Sequence, residues 1–182
     1  KDKTHEYQSI INNRTKGFGC PFCSSSGTSE PEVRIFCELS YLIGSEEVVW
    51  RKRIDGNEID VFISKYNLGI EFDGSYWHEG KIESDINKNN LFEKKNIQII
   101  RVRQEPLEFT SENDIAVSKK PLTKDDLNHL VLKIKSVLKE PEEINFDDYI
   151  SKTSFLNDNG FKRFISFFPS PPPEYSFLTT HP

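Results

Sequence analysis

Two short apolar runs, 58–63 and 68–72, stand only four residues apart, and acids interrupt both of them. Runs of this length, bounded by Ser64-Lys65-Tyr66-Asn67, read as two strands joined by a turn. Pairing through that turn brings Asp60 close to Glu71. The period of two puts Glu71 and Asp73 on one face of the second strand, with Ile70 and Phe72 on the other. Asp60, Glu71 and Asp73 then converge at one edge of a sheet. Like charges in an apolar setting are costly unless a cation joins them or protons relieve them. Mg²⁺ suits such a place, because it takes hard oxygen ligands and keeps several waters. These three acids are therefore the candidate Mg²⁺ ligands and the first candidate catalytic residues.

The flanking residues extend the pattern. Gly74 allows a tight turn directly after the acids, and Ser75-Tyr76-Trp77-His78 follows it. An imidazole at His78 can position or deprotonate an attacking water, or it is a structural histidine beside two aromatics. Ser29 and Glu32 have the S-x-x-E spacing of a capping box, and Pro31 falls in the first helical turn. Val33, Phe36, Cys37, Leu39 and Leu42 recur at helical spacing, which predicts a helix over 30–43 ended by Gly44. Glu32 is thus either a fourth catalytic carboxylate or simply a cap, and Cys37 is core. A second amphipathic helix over 85–96 takes its apolar face from Ile86, Leu91 and Phe92. Lys88 on that helix offers a cation to a phosphate or to the water, or is solvated charge.

Further strands are expected at 48–50 and 97–102, and Asp55-Gly56-Asn57 is a hairpin signal. The order α-β-β-β-α-β predicts an α/β chain: an α/β/α layered core around a mixed sheet. A later helix starts near Thr123, with Leu127, Leu130, Val131, Ile134 and Leu138 at its period and Pro141 beyond its end. Asp158-Asn159-Gly160 reads as a turn, and Pro169–Pro173 holds four prolines in five residues. No chemistry is legible in 105–182. The expected domains are 1–28, 29–140 and an extension over 141–182.

The net charge of −5 and pI near 5.5 argue against a surface uniformly covered with phosphate contacts. They leave room for a local basic face, for which Lys52 and Arg53 (with Arg51) and the pair Arg101/Arg103 are candidates; ordinary solvated charge is the other reading. No apolar run approaches the ~18 residues of a membrane span, and the chain reads polar from Lys1 onward. Of three cysteines, Cys20 and Cys23 form a C-x-x-C pair that suits metal better than a structural disulfide. A reducing, intracellular (cytoplasmic) compartment is therefore expected. There is no Met even at position 1, which leads us to expect an excerpt of a longer, multi-domain protein.

The ordered set Glu58-Ile59-Asp60, Gly69-Ile70-Glu71-Phe72-Asp73-Gly74-Ser75-Tyr76-Trp77-His78, Asp85-Ile86-Asn87-Lys88-Asn89 and Ile99-Ile100-Arg101-Val102-Arg103 resembles the PD-(D/E)XK nuclease superfamily. Within it, the chain is most similar to the very-short-patch-repair-like endonucleases, over roughly 29–108. The resemblance implies a restriction-endonuclease-like fold. It also implies hydrolysis of DNA phosphodiesters, by nicking or double-strand cutting, with Mg²⁺ (or Mn²⁺) and no small-molecule cofactor. Defence, mobile-element and repair roles all fit. Asp60 takes the place of the metal aspartate, Glu71 the second acid, Glu32 the first-helix glutamate and His78 the histidine after the glycine. The chain departs from the pattern at Asp73, where the motif has lysine, and at Ile59, where it has proline. The alternative expectation is a DNA-binding module with a catalytically silent nuclease fold. His5, Cys20 and Cys23 resemble ligands of a treble-clef zinc ribbon, which implies a structural Zn²⁺ site in the N-terminal fragment.

Overall fold

A computed structural model describes residues 28–118, 121–139 and 141–166. His5, Cys20 and Cys23, and with them the expected zinc ribbon, lie outside the described residues, as does the proline-rich tail. Helix α1 (Glu30–Ile43) begins where the capping signal stands: the Ser29 hydroxyl accepts the Glu32 amide at 3.3 Å. Gly44, at φ +114°, ends it by adopting a backbone that side chains disfavour. Glu32 turns its carboxylate to the Ser29 hydroxyl, at 2.8 Å.

Five strands form one mixed sheet in sequence order: β1 (Val48–Ile54), β2 (Asn57–Ile63), β3 (Leu68–Asp73), β4 (Gln98–Gln104) and β5 (Ile115–Val117). The first three pair antiparallel and the last three parallel. Asp55 and Gly56, at φ +47° and +82°, make the two-residue turn between β1 and β2 that the sequence signals. β5 is unexpected, since three residues are too few to show a period. Short helix α2 (Ser75–His78) follows β3 directly, and α3 (Ile82–Glu93) crosses back to β4.

The sheet is covered on both faces. Val33 and Leu39 of α1 join Ile63, Ile70, Ile100 and Val102 of the sheet in the larger core. Leu127, Leu130, Val131 and Ile134 of α4 (Lys124–Val137) complete that side. On the other face Phe92 of α3 packs with Val49, Ile59, Phe62, Ile97 and Ile99. Ile86 and Leu91, expected on the apolar face of α3, are instead 37% and 46% exposed.

The boundary expected at 140 does not mark the end of the packing. Helices α5 (Phe146–Ser151) and α6 (Asp158–Ile165) place Phe146, Tyr149 and Phe161 in the larger core. Buried Glu38 of α1 accepts the Tyr149 hydroxyl (2.8 Å) and the amides of Leu156 (3.0 Å) and Asn157 (2.8 Å). Arg34 pairs with Asp158 at 2.7 Å and lies over the rings of Phe155 and Phe161. Asp158-Asn159-Gly160, read as a turn, is the first turn of α6; the Asn157 side chain accepts the Gly160 amide at 3.1 Å.

Candidate active site

The site forms where two strands part. The β2–β3 ladder runs from Ile63 with Leu68 to Val61 with Ile70, while both strands continue past it. At the next step Asp60 enters with its side chain, and Asp60 Oδ2 accepts the Phe72 amide at 2.9 Å. A carboxylate thus satisfies a backbone donor that the parted strand leaves open. Glu71 lies beside it on β3, so the expected approach of Asp60 and Glu71 is found.

The β1–β2 ladder also changes at this level. It pairs Trp50 with Val61 and resumes at Lys52 with Ile59. Between them Arg51 adopts φ +49°, an uncommon left-handed backbone for a non-glycine residue. Its guanidinium reaches Glu32 at 3.4 Å and Glu58 at 3.5 Å. Glu32 therefore faces the site from the first turn of α1, close enough to Asp60 for the two charges to interact.

Helix α3 supplies the opposite wall. Asp85, Lys88, Asn89 and Phe92 follow the i, i+3, i+4, i+7 spacing of one helical face. Lys88 Nζ donates to both oxygens of Glu71, at 2.8 and 2.6 Å. Asn89 Oδ1 accepts Arg101 Nε at 2.9 Å, and Asn89 Nδ2 donates to the Thr110 hydroxyl at 2.9 Å. Buried Asp114 in turn accepts the Thr110 amide and hydroxyl, which fixes the loop after β4.

Asp73, expected as a third metal ligand, is held by two buried arginines. The parallel register sets Glu71 beside Arg101 and Asp73 beside Arg103. Arg101 Nη1 donates to both Asp73 oxygens (2.9 and 3.0 Å), and Arg103 Nη1 to Asp73 Oδ2 (2.6 Å) and Asp85 Oδ2 (3.1 Å). Both arginines are fully buried, at 0% and 1% exposure. This corrects their reading as part of a DNA-facing basic surface: they are internal counterions. Lys52 and Arg53 do remain exposed.

His78 is anchored on its Nδ1 side, 3.1 Å from Asp85 Oδ2 and 3.4 Å from Asp73 Oδ1. Among the described residues, Asp73, His78 and Asp85 are a group whose potential ligand atoms lie within 4.8 Å of one another. Two guanidinium groups already balance its two carboxylates, so this donor set fits ion pairing better than a divalent cation.

The charge balance is different at Glu32, Asp60 and Glu71. Lys88, Arg51 and Arg101 oppose these three carboxylates, with Arg51 shared with Glu58 and Arg101 with Asp73. Burial, then the Asp60 charge, pushes Glu71 up to about 8 against Lys88 and Arg101. Burial and Asp60 also push Glu32 up to about 7 despite Ser29 and Arg51. Burial raises Asp60 above the ordinary carboxylate range, although the Phe72 amide and Lys88 work the other way. Burial would raise Asp85 too, but the His78 hydrogen bond and the Arg101 charge outweigh it and hold its carboxyl below that range. Asp60 and Glu71, with Glu32 near Asp60, offer carboxylate oxygens of the kind a hard cation takes.

No protein-family model, curated protein or solved structure matches the chain. Sequence reasoning named Arg51 only for a basic face and Asp85 only within the family pattern, and gave neither a place in this site. The signal for Asp85 was its place three residues before Lys88 on one helical face. Arg51 depends on a backbone conformation that no residue pattern announces.

Proposed function

We propose that the chain is a metal-dependent endonuclease of the PD-(D/E)XK type, with a restriction-endonuclease-like core, hydrolysing DNA phosphodiester bonds. The observation that carries this reading is the parting of β2 and β3 at Asp60 and Glu71. It sets the half-buried carboxylate of Asp60 beside the buried one of Glu71, with Glu32 near Asp60 and Lys88 closed onto Glu71. Asp60 and Glu71 would hold Mg²⁺ or Mn²⁺, with Glu32 close by. When bound, such an ion supplies charge stabilisation at the phosphate and a more acidic water.

The chain's own residues supply the rest. Lys88 reaches Glu71 from the helix and would take the part of the motif's missing lysine. Its ammonium can orient a water or neutralise charge developing on a phosphate. His78, fixed at Nδ1 by Asp85, keeps its other ring nitrogen for a proton. Asp73 holds Arg101 and Arg103 in place beside the site.

The test is cleavage of supercoiled plasmid with Mg²⁺ or Mn²⁺ by wild type, Asp60→Ala and Glu71→Ala. Loss of supercoiled DNA with wild type alone supports the reading. DNA binding without cleavage in either metal leaves a silent-fold binding module.

A further inference from the structure

Beside His78 lies a half-open cleft of about 440 Å³, between α2 and the loop after β4. We propose that this cleft takes one nucleobase, from a nucleotide out of the duplex stack and adjacent to the phosphate at His78. This rests on the endonuclease reading and adds to it a substrate feature.

The lining argues for a base over the other parts of a nucleic acid. Tyr76, Pro106 and Leu107 give apolar surface for a flat ring. Tyr76 is 70% exposed, with Trp77 edge-on against it at 4.9 Å, so an aromatic surface is held open at the mouth. Glu79 and Glu108 also line the cleft, and carboxylates disfavour a phosphate while they accept from ring amines. Arg103 borders the cleft but is fully buried, its guanidinium held by Asp73 and Asp85.

Position is the other argument. His78 belongs both to the cleft and to the Asp73–Asp85 anchor. A phosphate within reach of His78 leaves its neighbouring sugar and base at the mouth. A base paired and stacked in a duplex cannot turn into a recess in a protein wall without leaving the stack. The cleft therefore favours substrates in which that base is already free. The wall is fixed in advance, because Asp114 ties Thr110 and Thr110 ties Asn89 of α3.

The experiment measures binding of the full chain to two otherwise identical DNA duplexes, one fully paired and one with a single-nucleotide bulge. Ca²⁺ replaces Mg²⁺ so that binding is read without cleavage. Wild type is expected to bind the bulged duplex about tenfold more tightly, the scale of one base–aromatic contact. Leu107→Trp, which fills the cleft, is expected to bring the two affinities within about twofold of each other without weakening the paired duplex. Tyr76→Ala, at an exposed position where folding is not at stake, should shrink the same preference. Equal affinities in wild type, or a preference kept by both variants, overturns the proposal. Cleavage in Mg²⁺ is scored separately. Cleavage without a bulge preference removes the cleft proposal alone. A bulge preference lost in Leu107→Trp, but without cleavage, keeps the base site and removes the nuclease reading.

Discussion

Lys88 of α3 grips Glu71 of β3 by both carboxylate oxygens, at 2.8 and 2.6 Å, so a helix closes the site that the strands open. Lys88→Met should lower plasmid cleavage by roughly 10²-fold, the scale of a positioned proton-transfer or charge-stabilising group. Glu71→Gln should abolish it. Initial rates of supercoiled-plasmid loss would show this, and a Lys88→Met rate equal to wild type would remove the lysine from the mechanism.

Metal-free protein should lose stability as pH rises. Glu32 and Glu71 have folded pKa values of about 7 and about 8, against an ordinary 4.5. A raised carboxyl binds a proton on folding, so its contribution is full below the unfolded pKa and is lost as pH climbs through the folded one. Melting temperatures in EDTA should fall between about pH 5 and about pH 8. Glu71→Gln should flatten the upper part of that fall, and Mg²⁺ should oppose it by favouring the charged carboxylates. Asp85, held below its ordinary range, acts in the opposite sense and only at acid pH. A flat profile in EDTA would contradict the crowding of these acids.

Arg103→Met should destabilise the fold by about 3–5 kcal/mol, because it strips a buried partner from Asp73 and Asp85. Adding Asp73→Asn should recover part of that loss. Urea titration measures both. Lys52→Ala and Arg53→Ala, at exposed positions, should change stability by no more than ~0.5 kcal/mol. If those two meet phosphates, each should instead reduce the salt dependence of DNA affinity by about one unit of slope.

Cys37 should resist alkylation in the folded protein. It is 3% exposed, and burial pushes its thiol up to about 12. Iodoacetamide at pH 8 should leave the Cys37 peptide unlabelled until urea is added, read by mass spectrometry. Rapid labelling without urea would mean that α1 opens readily.

The antiparallel pair, the turn at 64–67, the helix after Ser29 and the meeting of Asp60 with Glu71 were legible because each follows from local chemistry and a period of two or 3.6. The buried arginines were not. Period two does set Arg101 and Arg103 on one face of β4, but only the parallel register with β3 puts acids beside them. The same limit hid the inward face of α3. A search for apolar spacing selects Ile86 and Leu91, whereas this helix buries Asp85 beside Phe92 and turns Lys88 and Asn89 toward the sheet. A helix that covers a charged patch buries charge, so hydrophobic periodicity points away from its inner side.

The Glu38 contacts bear on how much chain must travel with this domain if it is moved into another protein. A cut at 140 looks natural after the α4 periodicity, yet it would strip a buried carboxylate of Tyr149, Leu156 and Asn157 together. The same α1 that carries Glu38 presents Glu32 to Asp60. A transplant ending at 140 would lose its grip at one end of that helix and misplace a carboxylate at the other. One reaching 165 carries its own closure.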